Sequence, residues 1–217
     1  MPVRLNQQLW FPAAAAAGAD GCVAVGGDLS PERLLLAYRA GIFPWTVNPI
    51  TWWSPAPRGI LPLENFHVSA SLAKVLRRAP FEIRKNTAFR EVMTACAAPG
   101  PKRRGVWITP EFIEAYTRLH ALGHAHSVEC WQAGKLVGGI YGVAIGGFFA
   151  GESMFHRVGN ASKVALCQLV GHLRAKNFEL FDLQMVTGAT RPFGAQEISR
   201  AEYLRRLDAA VKANCQF

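Results

Sequence analysis

Residues 127–154 read SVECWQAGKLVGGIYGVAIGGFFAGESM and carry the pattern that decides the fold. Three runs rich in apolar residues are separated by Ala133-Gly134 and by Gly146-Gly147, and such pairs are typical of tight turns between antiparallel strands. The first run alternates in polarity, and the second is a long apolar run. We therefore predict an antiparallel meander with strands at 127–132, 135–145 and 148–154.

Helical patterns surround this meander. Ser30-Pro31 and Thr109-Pro110 each combine a cap residue with a proline at the first helical position, where a missing N–H is tolerated. Gly41 is predicted to follow the first helix in a left-handed conformation. Two segments dense in Pro and Trp, 42–45 and 52–58, predict a rigid loop that presents aromatic faces. The predicted helices lie at 31–40, 69–78, 86–97, 110–122, 161–176 and after Ser199, and a further strand lies at 179–185.

The order of meander, helix, strand and helix resembles the central part of the GNAT acyltransferase fold. We therefore expect an α+β protein in which a GNAT-like domain, residues 63–217, follows a small N-terminal α/β domain with aromatic loops, residues 1–62. This is an analogy of fold, and it does not determine the chemistry.

The charge of the chain is strongly positive and unevenly distributed. Of a formal net charge of +9, the segment between Ser71 and Pro110 supplies +7. Such a cluster attracts polyanions, most often nucleic acid, although a solvated face that favours solubility explains it equally well. The basic residues of this segment are Lys74, Arg77, Arg78, Arg84, Lys85, Arg90, Lys102, Arg103 and Arg104.

Several classes of protein are not expected. No run reaches 18 apolar residues, and no basic region precedes the alanines at 13–17, so we expect no membrane span, no signal peptide and a cytoplasmic location. Five cysteines are scattered without a C-x-x-C pair, which argues against a disulfide framework. His120, His124, His126 and Cys130 lack the spacing of a zinc motif, so we expect neither a metal nor a cofactor.

Nine short strings give the chain a specific resemblance. In order, they resemble sequences of the leucyl/phenylalanyl-tRNA–protein transferase family, and the similarity extends from Leu5 to Leu207. The strings are GGDLS (26–30), GIFPW (41–45), WWSP (52–55), WIT (107–109), GHAHSVE (123–129), GGIYG (138–142), GESMF (151–155), ASK (161–163) and DLQ (182–184).

The resemblance implies an enzyme that moves Leu or Phe, with Met as a further candidate donor, from aminoacyl-tRNA to proteins that begin with Arg or Lys. Such a transfer marks the acceptor for degradation. The ester on tRNA is already a reactive acyl donor, so the enzyme must position its substrates, deprotonate the amine and stabilise the oxyanion. We expect no covalent nucleophile and a monomer.

Asp182 and Gln184 are the predicted catalytic residues. They are two apart on a predicted strand, so their side chains are expected on one face. Spacing alone equally fits an ordinary polar face on an edge strand. The resemblance implies that the carboxylate helps to orient the amide oxygen toward the incoming amine and to remove its proton.

The resemblance also implies substrate-binding residues. Glu152 contacts either the transferred residue or the cationic acceptor, or else pairs with a basic residue of the fold, and Ser153 lies beside it. Trp45 and Trp107 are candidate stacking platforms for the terminal adenosine, with core packing as the alternative; for Trp52 and Trp53 we favour core packing. Ile140, Phe149, Leu169 and Leu173 are expected to form the apolar pocket for the donor side chain. Lys74, Arg77 and Arg78 are expected to contact the tRNA backbone.

The chain departs from the family pattern in four places. Ile140 and Leu169 stand where the family often has Met and Phe, which changes the shape of the predicted pocket. Residues 187–195 read TGATRPFGA where the family usually has a His and Ser-Leu-Gly-Ala, and His156 stands where some relatives have Ser. No role of those residues is carried over.

Two other functions compete with this interpretation. An acyl-CoA-dependent N-acetyltransferase on a GNAT-like fold would need a phosphate-binding turn that opens a helix directly after a meander strand, and the sequence offers no convincing one. A non-catalytic tRNA-binding module would use the basic segment and the tryptophans but not Asp182 with Gln184.

Overall fold

A computed structural model describes residues 2–99 and 107–217, and within these ranges the chain forms six α-helices and eleven strands. Lys102, Arg103 and Arg104 of the basic segment lie outside the described residues. The helices are α1 (Pro31–Arg39), α2 (Ala70–Arg78), α3 (Phe89–Ala97), α4 (Pro110–Ala121), α5 (Ala161–Ala175) and α6 (Arg200–Ala210). The strands are β1 (Val3–Leu5), β2 (Cys22–Gly26), β3 (Phe43–Val47), β4 (Ile50–Trp53), β5 (Arg58–Ile60), β6 (Glu82–Lys85), β7 (Ala125–Gln132), β8 (Lys135–Ile145), β9 (Phe148–His156), β10 (Leu180–Gln184) and β11 (Gln196–Ile198).

The predicted meander is present. Strands β7, β8 and β9 are antiparallel neighbours in a seven-stranded sheet with the order β11-β5-β10-β9-β8-β7-β6. The next strand, β10, pairs parallel to β9 after the crossover through α5. The short strands β5, β6 and β11 were not predicted, because three or four residues are too few to show a period.

A second sheet has the order β1-β2-β4-β3 and lies in the N-terminal part of the chain. Here the prediction of a rigid loop for the Pro- and Trp-rich segments is wrong, because β3 and β4 form an antiparallel pair. Pro44 is accommodated because β3 is an edge strand, where a missing N–H need not break the ladder. Trp52 is fully buried, as predicted for core packing, and its indole N–H donates to the Gly26 carbonyl at 2.8 Å.

The caps predicted at Ser30 and Ser199 are confirmed, whereas Thr109 precedes α4 without a side-chain capping hydrogen bond. The Oγ atoms of Ser30, Ser69 and Ser199 accept hydrogen bonds from backbone N–H groups at 3.3, 3.3 and 3.2 Å, in the first turns of α1, α2 and α6. Gly41 follows α1 with φ +75°, and a Cβ there would lie only 2.8 Å from the Leu204 side chain. The left-handed backbone conformation therefore favours glycine at this position, and a Cβ would also displace the end of the Leu204 side chain.

The seven-stranded sheet separates two layers of buried residues. One face carries α3 and α4, and the same core continues to α1, α6 and the second sheet. The other face carries α5, with α2 beside it. No helix in the described ranges has both the length and the apolarity needed to cross a membrane.

Candidate active site

A β-bulge in β9 sets the position of Glu152. The β8–β9 ladder pairs Tyr141 with Ser153 and Gly142 with Gly151, so Glu152 has no partner across the ladder. An extra residue of this kind bends the strand and redirects its side chain. Gly142 permits the close approach at the bulge, since a Cβ there would lie 2.1 Å from the Ala150 carbonyl oxygen.

A second irregularity lies on the neighbouring strand. The β10–β5 ladder pairs Asp182 with Ile60 and Gln184 with Gly59, and Gln184 has φ +59°. The parallel pairing of β9 with β10 runs only as far as Asp182, so the two strands are no longer paired at the bulges. Across the resulting gap, Gln184 Nε2 donates to Glu152 Oε1 at 3.0 Å.

Asp182 has very different surroundings from Gln184, although their spacing predicts one shared face. Asp182 is fully buried and accepts from Arg58 Nε at 2.9 Å and from Arg58 Nη2 at 2.6 Å. The Tyr203 hydroxyl and the Gln184 backbone N–H each donate to the same carboxylate at 2.9 Å. Asp182 therefore fixes the backbone of Gln184, and both of its oxygens are engaged.

Two buried tyrosines complete the surroundings of Glu152. The Tyr38 hydroxyl donates to Glu152 Oε1 at 2.8 Å, and it also hydrogen-bonds to the Tyr116 hydroxyl. Burial raises the pKa of both tyrosines well above the ordinary value, so both stay protonated. Sequence reasoning missed Tyr38, Tyr116 and Arg58; the two tyrosines look like core positions of helices, and their polar ends are visible only after folding.

Burial raises the pKa of Glu152 from 4.5 to about 7, and the negative charge of Asp182 acts in the same direction. The hydrogen bonds from Tyr38 and Gln184 and the charge of Arg58 oppose this rise. Near neutral pH the carboxyl group is therefore poised between its two forms. Such a group can both bind an ammonium and take up a proton.

Because the folded-state pKa of Glu152 lies above its unfolded value, the folded protein keeps a proton that the unfolded chain releases. Its contribution to stability is therefore complete below about pH 4.5 and is lost as the pH rises through about 7. Between about pH 5 and pH 8, we expect the free energy of unfolding of wild type to fall by about 1–3 kcal/mol relative to that of Glu152→Gln. Urea denaturation of both proteins across this range measures the difference, and parallel pH profiles would contradict the raised pKa.

A cavity of about 230 Å³, here called the aromatic cavity, lies on one side of the Glu152–Gln184 pair. Trp45 and Trp107 line it together, although 61 residues separate them in the chain. Trp45 packs on Trp53 with ring centroids 5.7 Å apart, and Trp107 packs on Phe112 at 5.3 Å. Both indoles are thus held at the cavity wall.

A cavity of about 290 Å³, here called the apolar cavity, lies on the other side of the pair. Of the predicted pocket residues, only Ile140 is among those that line it. Ser153, predicted as a substrate-binding residue beside Glu152, also lines it, as does Leu166, which was not predicted. Phe149, Leu169 and Leu173 do not line it and are almost fully buried in the same core cluster as Ile140.

The predicted tRNA-binding residues lie on α2. Lys74, Arg77 and Arg78 are all exposed, and no ion pair among the described residues involves them. Their charges are therefore available to a polyanion.

Comparison with known proteins identifies the family. The family model described as "Leucyl/phenylalanyl-tRNA protein transferase" matches residues 60–208, and the model of its N-terminal domain matches residues 27–56. The chain belongs to the leucyl/phenylalanyl-tRNA–protein transferase family. It is accordingly an aminoacyltransferase.

Individual members of the family are similar over nearly the whole chain. The leucyl/phenylalanyl-tRNA–protein transferase of Nitratidesulfovibrio vulgaris is 52% identical, over 93% of this chain and 88% of the relative. The enzyme of Syntrophotalea carbinolica is 51% identical, over 97% of this chain and 93% of the relative. The solved structure of L-PGS from Bacillus licheniformis aligns with a TM-score of 0.42 at 14% identity, over 74% of this chain and 52% of that chain.

Proposed function

We propose that this aminoacyltransferase moves Leu or Phe, with Met as a further candidate, from charged tRNA to the α-amino group of proteins that begin with Arg or Lys. The product then carries an N-terminal signal for degradation, and the reaction takes place in the cytoplasm on a monomeric enzyme with a GNAT-like catalytic domain. One observation carries the proposal: the Glu152–Gln184 pair lies between a cavity walled by tryptophans and an apolar cavity.

In this proposal the aromatic cavity holds the terminal adenosine of tRNA. Trp45 and Trp107 provide the stacking surfaces, and a stack of a base on an aromatic side chain contributes roughly 1–3 kcal/mol. The exposed Lys74, Arg77 and Arg78 contact the tRNA backbone by charge and shape.

The apolar cavity holds the side chain of the transferred amino acid. Ile140 and Leu166 form its walls, and Ser153 lies at its edge. Phe149, Leu169 and Leu173 belong to the same buried cluster as Ile140 and Leu166 and support them from the core. An apolar pocket of this kind accepts Leu and Phe because neither brings a polar group that needs a partner.

The reaction is a direct attack of the acceptor amine on the ester carbonyl carbon. A C–N bond forms, the bond from that carbon to the ribose 3′ oxygen breaks, and the ribose leaves as an alcohol once Glu152 passes to it the proton taken from the amine. Gln184 Nε2 is committed to Glu152, so the planar amide leaves Oε1 free to accept an N–H of the attacking amine. Glu152 accepts the proton that the amine loses, and Asp182 acts through Gln184 as a positioning residue.

Incubation with radiolabelled Phe-tRNA tests this function. We expect label to appear in a protein that begins with Arg, at least about tenfold faster than in the same protein beginning with Ala, because only the former supplies the cationic side chain. Equal labelling of both acceptors would contradict the proposed acceptor class, and labelling of neither would contradict the transfer itself.

Calorimetry with acetyl-CoA tests the N-acetyltransferase alternative. Helix α5 begins soon after β9, with residues 157–160 between them, and this is where an acetyltransferase would need its phosphate-binding turn. The aminoacyl-tRNA proposal predicts no heat of binding with acetyl-CoA, whereas saturable binding would favour the alternative.

A further inference from the structure

A third cavity, of about 280 Å³, plays no part in the proposed transfer. We call it the basic cavity and define it by the polar residues that line it: His67, Ser69, His156, Ser162 and Lys163. Lys163, His67 and His156 are exposed, whereas Ser162 is buried and its hydroxyl hydrogen-bonds to His156 Nδ1 at 3.3 Å.

The lining of the basic cavity has the chemistry of an anion site. Among the described residues that line it, none is acidic, and every polar one carries a group that donates hydrogen bonds. Helix α5 also begins here, and the Asn160 side chain makes no capping hydrogen bond to it. The first N–H groups of a 15-residue helix therefore add to the positive potential of Lys163.

The basic cavity adjoins both α2 and the apolar cavity. It shares Met154 and Ala189 with the apolar cavity, and that cavity in turn shares Glu152 and Gln184 with the aromatic cavity. At its other side it is lined by Leu72 of α2, the helix that carries the three exposed cations. A strand that follows these shared residues from α2 to Glu152 and Gln184 passes the basic cavity.

We propose that the basic cavity binds a phosphodiester group of the single-stranded 3′ end of tRNA, with Lys163 as its main cationic contact. The inference rests on the proposed function, because the course of the tRNA strand is inferred from the proposed position of the terminal adenosine in the aromatic cavity. A bound phosphodiester would fix the register of the 3′ end, so that the ester reaches Gln184. The acceptor protein fits this cavity poorly, since its N-terminal Arg or Lys would meet like charge at Lys163.

Two minimal donors separate the phosphate contact from the rest of the site. Phenylalanyl-adenosine has the base, the ester and the side chain but no phosphodiester, whereas a phenylalanyl-CCA trinucleotide has phosphodiesters as well. We expect Lys163→Ala to lower kcat/KM for the trinucleotide by about tenfold and to leave kcat/KM for phenylalanyl-adenosine unchanged. Lys163 is exposed, so its replacement leaves the fold intact.

Lys176→Ala is the matched control, because Lys176 is an exposed lysine at the opposite end of the same helix. It should leave kcat/KM for both donors unchanged. Lys163→Ala should also reduce the dependence of trinucleotide binding on salt by about 0.7 in the slope of log K against log salt concentration, because one phosphate contact is lost.

The outcomes distinguish this inference from the proposed function. If wild type uses both donors and Lys163→Ala affects them equally or not at all, the phosphate site is wrong and the transfer function stands. If Lys163→Ala instead weakens the use of the acceptor protein, the cavity belongs to the acceptor and the inference is overturned. If wild type uses neither donor nor charged tRNA, the proposed function fails, and the inference fails with it.

Discussion

Replacement of Arg58 with Ala is expected to lower the free energy of unfolding by about 3–5 kcal/mol, because it leaves the carboxylate of Asp182 buried without its charge partner. Arg58 is 1% exposed and Asp182 is 0% exposed. The guanidinium also donates to the Gly41 carbonyl at 3.1 Å and lies over the Tyr203 ring at 4.3 Å. The Tyr203 hydroxyl and the Gln184 N–H cannot replace a full positive charge.

Urea denaturation measures this loss, and a double variant is its control. Arg58→Met combined with Asp182→Leu removes both charges together, so we expect it to recover much of the stability that Arg58→Ala loses. It should not recover transfer, since the anchor of the Gln184 backbone is still missing. If the free energy of unfolding of the Arg58→Ala variant lies within about 1 kcal/mol of the wild-type value, Arg58 and Asp182 do not form the buried ion pair described above.

Replacement of Gln184 with Ala is expected to slow transfer by about 100-fold in a single turnover at saturating Phe-tRNA. The amide oxygen that receives the amine is lost, while Trp45 and Trp107 and the apolar side chains Ile140 and Leu166 are unchanged. The affinity for Phe-tRNA should therefore stay within about twofold of wild type. The measurement combines rapid-quench transfer with an independent binding titration.

Gln132→Ala is the matched control, because it removes the same side chain at an exposed position at the end of β7. It should transfer at the wild-type rate. A Gln184→Ala protein that transfers as fast as Gln132→Ala would remove Gln184 from the mechanism. A protein that lost tRNA binding and transfer together would make Gln184 a binding residue instead.

The parts of the fold that were predicted are those whose signal is local. The meander follows from glycine turns and apolar runs, and the starts of α1 and α6 follow from Ser30 and Ser199 as caps. Each of these signals lies within a few residues of the element that it specifies. The hairpin of β3 and β4 was missed because its residues, rich in Pro and Trp, are typical of a loop. Pro44 fits a strand here because β3 lies at the edge of its sheet.

The geometry of the site could not be predicted in the same way. The bulge at Glu152 and the register shift between Asp182 and Gln184 arise from the pairing of neighbouring strands, and no property of either strand alone reveals them. The Arg58–Asp182 pair joins residues 124 positions apart, and a buried ion pair has no sequence period. The spacing of Asp182 and Gln184 therefore predicted one shared face, where the structure has a buried carboxylate and a cavity-lining amide.

The residue types at the site were predicted more fully than their arrangement. Trp45, Trp107, Glu152 and Gln184 were named from the resemblance, and the structure brings all four to the aromatic cavity. Their roles as stacking, binding and catalytic residues stay predictions. Tyr38, which hydrogen-bonds to Glu152, and Tyr116, which hydrogen-bonds to Tyr38, could not be recognised from the sequence. Both are buried in helices α1 and α4 like any other core aromatic residue.

A crystal structure with a non-hydrolysable donor, phenylalanyl-adenosine joined by an amide in place of the ester, shows where the reacting group binds. We expect the adenine against Trp45 and Trp107, the phenylalanyl ring in the apolar cavity, and the reacting carbonyl in contact with the Glu152–Gln184 pair. An analogue bound with its carbonyl away from that pair would rule out the proposed mechanism.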